Sequence, residues 1–207
     1  MSLELYLAFI GASAIVLMVP GPTVMLIVAH ALKEGPRATL PTTLGVVGGD
    51  ALAVTVTLVG LGALLAASAM LFEVLKWLGA AYLVWLGIRI LLEKPAVAEK
   101  DAPRPVASSR RLAGRAFIVT ALNPKSIAFF VAFLPQFVDP TAALAPQFVI
   151  MGATFVALAG LNTLAYAFAA SRIARHLTRP LWQSAMRWSS GLVLIGAGVL
   201  TAAMRRA

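Results

Sequence analysis

The sequence predicts an all-α fold: a polytopic membrane helix bundle of six transmembrane segments, arranged as two inverted three-helix repeats with broken first helices. Three observations lead there. The 207-residue chain is 60% hydrophobic and only 12% charged, about half the charged share of a soluble domain, and its mean hydropathy is +0.90. No charged side chain interrupts the run from Leu5 to Leu32, or that from Pro140 to Ser171. Each run exceeds the roughly 20 residues that cross a bilayer. Helix breakers then fall inside two apolar segments, one in each half: Pro20-Gly21-Pro22 and Asn123-Pro124.

Segment one is expected over Glu4–Leu32 and contains "VLMVPGPTVMLIVAH". Proline removes a backbone donor and clashes with the preceding turn, at roughly 3 kcal/mol inside a helix. The two parts together would reach roughly 40 Å against a hydrocarbon core of roughly 30 Å. A tilted, kinked or partly re-entrant half follows. Pro22 suits the first position of a helix, where its missing donor costs nothing. The amides of Thr23 and Val24 would then face the midplane from a positive helix end, ready for a carboxylate. The plainer alternative is a proline kink packed against its neighbours.

Segment two, Ala38–Ala67, carries "GVVGGD". Gly45, Gly48 and Gly49 form a small-residue face that lets another helix approach closely. Its expected partner is the broken segment one, which would present Asp50 to a cavity. The same face also allows a homodimer. Segment three, Leu71–Leu92, contains Lys76 and Arg89, which could snorkel to opposite interfaces beside Trp77, Tyr82 and Trp85.

The stretch Glu93–Leu112 is polar, holds three prolines and reads as a solvated linker. It separates repeat one (1–92) from repeat two (113–207) within a single membrane domain. Segment four follows over Ala113–Pro135, segment five over Ala145–Ala170 and a short segment six over Trp188–Met204. All should be helical, because hydrocarbon offers backbone groups no water to bond. Three segments per half forces homologous halves into opposite orientations, the inverted-repeat plan of secondary transporters.

The net charge is +9, which in a soluble chain would point to nucleic acid. Here the cations flank apolar segments, a topology signal instead. Lys33, Arg37, Arg89, Lys94, Lys100, Arg104, Arg110, Arg111, Arg115, Arg172, Arg175, Arg179 and Arg187 all fall on one side of a six-segment layout. Lys76, Arg205 and Arg206 fall on the other. The positive-inside rule therefore favours both termini outside. The absence of cysteine removes disulfide, thiolate-metal and thiol redox chemistry. "MSLELYLAF" lacks a basic leader region, so segment one is read as retained.

Asp50 and Lys125 are the two charges set well inside segments. Each costs on the order of 3 kcal/mol at the bilayer centre and by default marks a functional site. Two plainer readings remain: a fixed buried bridge between them, or a Lys125 that snorkels outward. Asn162 stands alone in apolar segment five, where it could line a cavity or join two helices. His30 and Glu34 read as a solvated face, Gln136 as interfacial, and Thr55 and Thr57 as bonding their own helix.

Taken together, "PGP" at 20–22, "GVVGGD" at 45–50 and "NPKSIAFFVAFLPQFV" at 123–138 resemble the LysE/RhtB family of bacterial amino-acid exporters. The resemblance covers essentially the whole chain, and the family includes proteins with five or six spans. It implies an inner-membrane exporter of amino acids or their derivatives, driven by protons. The family's substrates range over basic amino acids, homoserine, threonine, homoserine lactone and leucine-like compounds. Carried over by motif, the implied substrate-binding residues are Pro20, Gly21, Pro22, Asp50, Asn123, Pro124 and Lys125, with Thr23 and Asn162 beside them. The substrate carboxylate would lie at the helix start after Pro22 and its ammonium at Asp50. Asp50 would also exchange the coupling proton. Lys125 would pair with Asp50 when no substrate is bound, or take the substrate carboxylate.

No cofactor or resident metal is expected. The competing reading is a cation or metal-ion permease of related architecture, which needs several intramembrane oxygen or imidazole ligands. An enzyme would need a clustered nucleophile and base, for which Asp50, Lys125 and scattered hydroxyls make a thin case.

Overall fold

The computed structural model describes residues 1–19, 21–67, 69–92, 107–139, 142–177 and 180–203. Among these, every regular element is helical. The α-helices are α1 (Leu3–Met18), α2 (Pro22–Glu34), α3 (Thr39–Ala67), α4 (Ala69–Leu92), α5 (Ser109–Ala121), α6 (Pro124–Ala132), α7 (Leu144–Leu177) and α8 (Pro180–Ala203). Single 3-10 turns at Gly35–Ala38 and Leu134–Phe137 complete the set.

Each of the six expected apolar stretches lies on helix, and the first and fourth are each split in two. By length and apolarity alone, Pro22–Ala63 and Leu144–Ala170 can cross a membrane. The pair Ser109–Ala121 and Pro124–Phe137, bent by 41°, makes a third span if counted as one. Leu3–Met18 and Arg187–Ala203 are shorter apolar helices.

Local chemistry sets the ends. Ser2 caps α1 by accepting from the Leu5 amide, and Ser108 caps α5 by accepting from the Arg111 amide. Gly21 and Asn123 each precede a proline at the first position of a half-helix. Gly35 closes α2 at φ 70°, a left-handed backbone that glycine adopts without strain.

Three boundaries differ from expectation. Helix α5 begins at Ser109, inside the expected linker, because the Ser108 cap starts it there. The remaining linker, 93–106, lies outside the described residues. Helices α7 and α8 run past the apolar text, so Arg172, Arg175 and Arg187 sit on helix. Arginine is a good helix former, and leaving an apolar layer does not end a helix.

The glycine face of α3 also finds a different partner. It lies on α5, not on the broken segment one. A Cβ on Gly49 would stand 2.7 Å from the Phe117 carbonyl oxygen and 2.9 Å from Thr120 Cβ. One on Gly45 would overlap the Ala113 carbonyl, and Gly48 faces the Phe117 ring. An apolar α3 can bury any face, so its small residues decide only that some backbone comes close. Elsewhere α3 packs on α7, α4 on α8 and α6, and α7 on both α1 and α2.

Of three buried apolar clusters among the described residues, one includes residues of α1 and α6 and another residues of α2 and α5. The first is rich in phenylalanine: Phe9, Phe129, Phe130, Phe133, Phe137 and Phe155 are buried together. Phe130 meets Phe155 edge-on at 4.6 Å between centroids, and Phe9 meets Phe137 at 5.6 Å. The second is smaller and centres on Ile27, Val46, Ala116 and Ala167.

Candidate functional site

Breaking α1 from α2 leaves the last carbonyls of α1 without amide partners, which is costly away from water. Side chains from the second half of the chain meet them one by one. Lys125 Nζ donates to Val16 O at 2.9 Å and Val19 O at 2.7 Å. Asn162 Nδ2 donates to Leu17 O at 3.2 Å, and Tyr166 OH to Met18 O at 2.9 Å. The end of α1 is therefore held by α6 and α7.

The second break is built around Asn123. Its Oδ1 accepts from the Lys125 amide at 3.1 Å, capping α6. Its Nδ2 donates to Thr23 Oγ1 at 3.1 Å, and Thr23 Oγ1 lies 3.4 Å from Thr120 Oγ1. The start of α2 thus meets the junction of α5 and α6, and the two breaks face each other.

Asp50 comes from the middle of α3 and is only 3% exposed. Its Oδ1 has no hydrogen-bond partner. It lines a cavity of about 20 Å³ with Thr23, Asn123, Lys125, Ser126, Asn162 and Thr163, closed by Leu17, Val24, Ile27, Val46 and Ala159. That volume holds about one water molecule. Among the described residues Asp50 and Lys125 line the same cavity without a direct ion pair. Neither plainer reading of Lys125 describes it. Lys125 is 7% exposed and points inward, held by two carbonyls instead of by Asp50.

The structure therefore gathers Thr23, Asp50, Asn123, Lys125 and Asn162 around one cavity. Pro22 and Pro124 stand at the first turns of the helices that frame it. Gly21 is in extended backbone that any residue adopts, and a Cβ there would make ordinary contact with Lys125 at 3.5 Å. Pro20 lies outside the described residues. Gly45, Gly48 and Gly49 sit one face away, against α5.

His30 and Glu34 are buried, contrary to the solvated face expected of them. His30 Nδ1 pairs with Thr42 Oγ1 at 3.0 Å, and Glu34 Oε2 accepts from the Ala107 amide at 3.3 Å. Their face of α2 is covered by α3 and by the approach to α5. Sequence reasoning also missed Tyr166, Thr120, Ser126 and Thr163. Tyr166 was within reach of it, one helical turn beyond Asn162 on the same face.

A larger groove of about 720 Å³ runs between α3 and α7. Among the described residues that line it, Thr55 is the one polar side chain and none is charged, which leaves one hydroxyl to orient an amine or a carboxylate.

Comparison with known proteins places these features in a family. The model of the LysE type translocator family matches residues 14–205. An uncharacterized membrane protein of Vibrio cholerae serotype O1 is 32% identical over 98% of both chains. The homoserine/homoserine lactone efflux protein of Salmonella typhimurium is 32% identical over the full length of both. The leucine efflux protein of Salmonella choleraesuis is 30% identical over 66% of this chain and 65% of its own. No solved structure matches the chain.

Proposed function

The chain belongs to the LysE type translocator family, and from that premise we propose that it exports amino acids or close derivatives by proton-coupled antiport. The observation that carries the reading is the pairing of a buried carboxylate, Asp50, whose Oδ1 has no hydrogen-bond partner, with two facing helix breaks around one cavity. A buried intramembrane carboxylate oxygen that no residue bonds is costly unless a ligand or a proton bonds it in the working cycle.

In this reading the substrate ammonium binds Asp50. The substrate carboxylate takes the first-turn amides of α2 at Thr23 and Val24 and the remaining N–H of Lys125. Asn123 and Thr23 hold the two breaks together, and Asn162 fixes the end of α1. Asp50 releases its proton before the ammonium arrives and is reprotonated from the other side after the substrate leaves. Among the described residues that line the cavity, Asp50 and Lys125 are the charged ones, one for the amine and one for the carboxylate, which favours a neutral side chain. The names of the homoserine and leucine efflux relatives agree with that class.

Six spans in two inverted repeats are part of the proposal. Helices α1–α2, α3 and α4 would form one repeat, and α5–α6, α7 and α8 the other. Corresponding helices pack on each other, α3 on α7 and α4 on α8. In addition α5 packs on α3 as α1 packs on α7. The halves would rock about the breaks, opening the phenylalanine cluster and the smaller cluster in turn. Both termini would lie outside the bacterial inner membrane.

A metal-ion permease is less well supported. Among the described residues no group of three or more His, Cys, Asp and Glu side chains converges. Proteoliposomes preloaded with labelled homoserine, leucine, lysine or manganese separate the readings. Homoserine or leucine efflux, accelerated by an imposed proton gradient, is expected. Manganese release without amino-acid release would replace the proposal with the permease.

A further inference from the structure

The end of α1 offers a second kind of site. Backbone carbonyls at a helix C-terminus carry the negative end of the helix dipole. In broken membrane helices, such carbonyls are suited to small cations. Here Val16 O and Val19 O converge on one positive charge, the Lys125 ammonium, at 2.9 and 2.7 Å. Across the same small cavity stands Asp50, 3% exposed and with an unpartnered Oδ1. An ammonium is a compact point charge. It takes the place of a monovalent ion between these two carbonyls, but on a tether that cannot leave.

We propose that the Val16 and Val19 carbonyls form a monovalent-cation site beside the Asp50 carboxylate, filled from within by the Lys125 ammonium in place of a sodium ion. The chain thereby carries its own counter-cation and has no need of dissolved sodium. The site does not depend on which solute is exported. Truncating Lys125 would leave two orphan carbonyls and one buried unpaired carboxylate, each costly without a partner. Such a chain should take a cation from solution.

The test uses the full-length purified protein as wild type, Lys125→Ala, Lys125→Ser and Asp50→Asn/Lys125→Ala. Each is melted in sodium chloride and in choline chloride, at equal ionic strength and pH. Wild type and the double variant should melt alike in both salts. Lys125→Ala and Lys125→Ser should melt several degrees higher in sodium, with a saturable dependence on its concentration. Equal melting of both single variants in the two salts overturns the proposal. So does an equal sodium response in the double variant, or failure to recover either single variant folded in sodium. Melting is read without transport, so this result and the export assay can fail separately.

Discussion

At the scale of single residues, Lys125, Asn162 and Tyr166 answer carbonyls exposed by the first helix break and Asn123 caps the second, while one oxygen of Asp50 is left without a hydrogen-bond partner. Tyr166→Phe removes the donor to Met18 O and should cost about 1 kcal/mol, read as a lower melting temperature in detergent. Asn123→Ala removes the α6 cap and the tie to Thr23. Its cost should be about 1 kcal/mol or more for the cap alone, and export should fall as the breaks separate. The reach of sequence reasoning divides at this scale. Asp50 and Lys125 were legible because charge is rare and expensive in an apolar segment. The partner of Lys125 was not, because the oxygens it binds belong to the backbone of Val16 and Val19 and leave no mark in the side-chain pattern. The burial of Glu34 was equally hidden, since its partner is the Ala107 amide.

At the scale of helices, segment positions were legible because apolar runs and prolines mark where a membrane helix lies and breaks, but the end of α7 and the start of α8, which overrun the apolar text, were not. Which face meets which neighbour was not. Helix α3 is apolar nearly all round, so periodicity cannot point to a core face. Its glycines signalled a close approach and pointed to segment one or to a second copy of the chain; the partner is α5. That contact makes a sharp prediction. Gly49→Ala should destabilise by about 1–3 kcal/mol through overpacking on Phe117 and Thr120. Gly11→Ala in α1, with nothing within 4 Å of the added carbon, should instead be neutral or stabilising by up to about 1 kcal/mol. Paired melting curves check both.

At the scale of the whole molecule, the halves of the chain meet at their breaks. The native chain has no cysteine, so a Thr23→Cys/Thr120→Cys variant reports on that meeting without background. With the native hydroxyls 3.4 Å apart, the pair should oxidise to a disulfide that arrests export, and reduction should restore it. Failure to cross-link would contradict the facing of the two breaks. The central claim is that Asp50 is the group that both holds the substrate ammonium and exchanges the coupling proton. It is tested most directly by measuring amino-acid efflux from preloaded proteoliposomes, wild type beside Asp50→Asn, with and without a proton gradient. Losing one charge-assisted contact of about 1.5–3 kcal/mol predicts an efflux reduced roughly ten- to a hundredfold and no longer accelerated by the gradient. Asp50→Asn efflux at the wild-type rate, with the same response to the gradient, would contradict it.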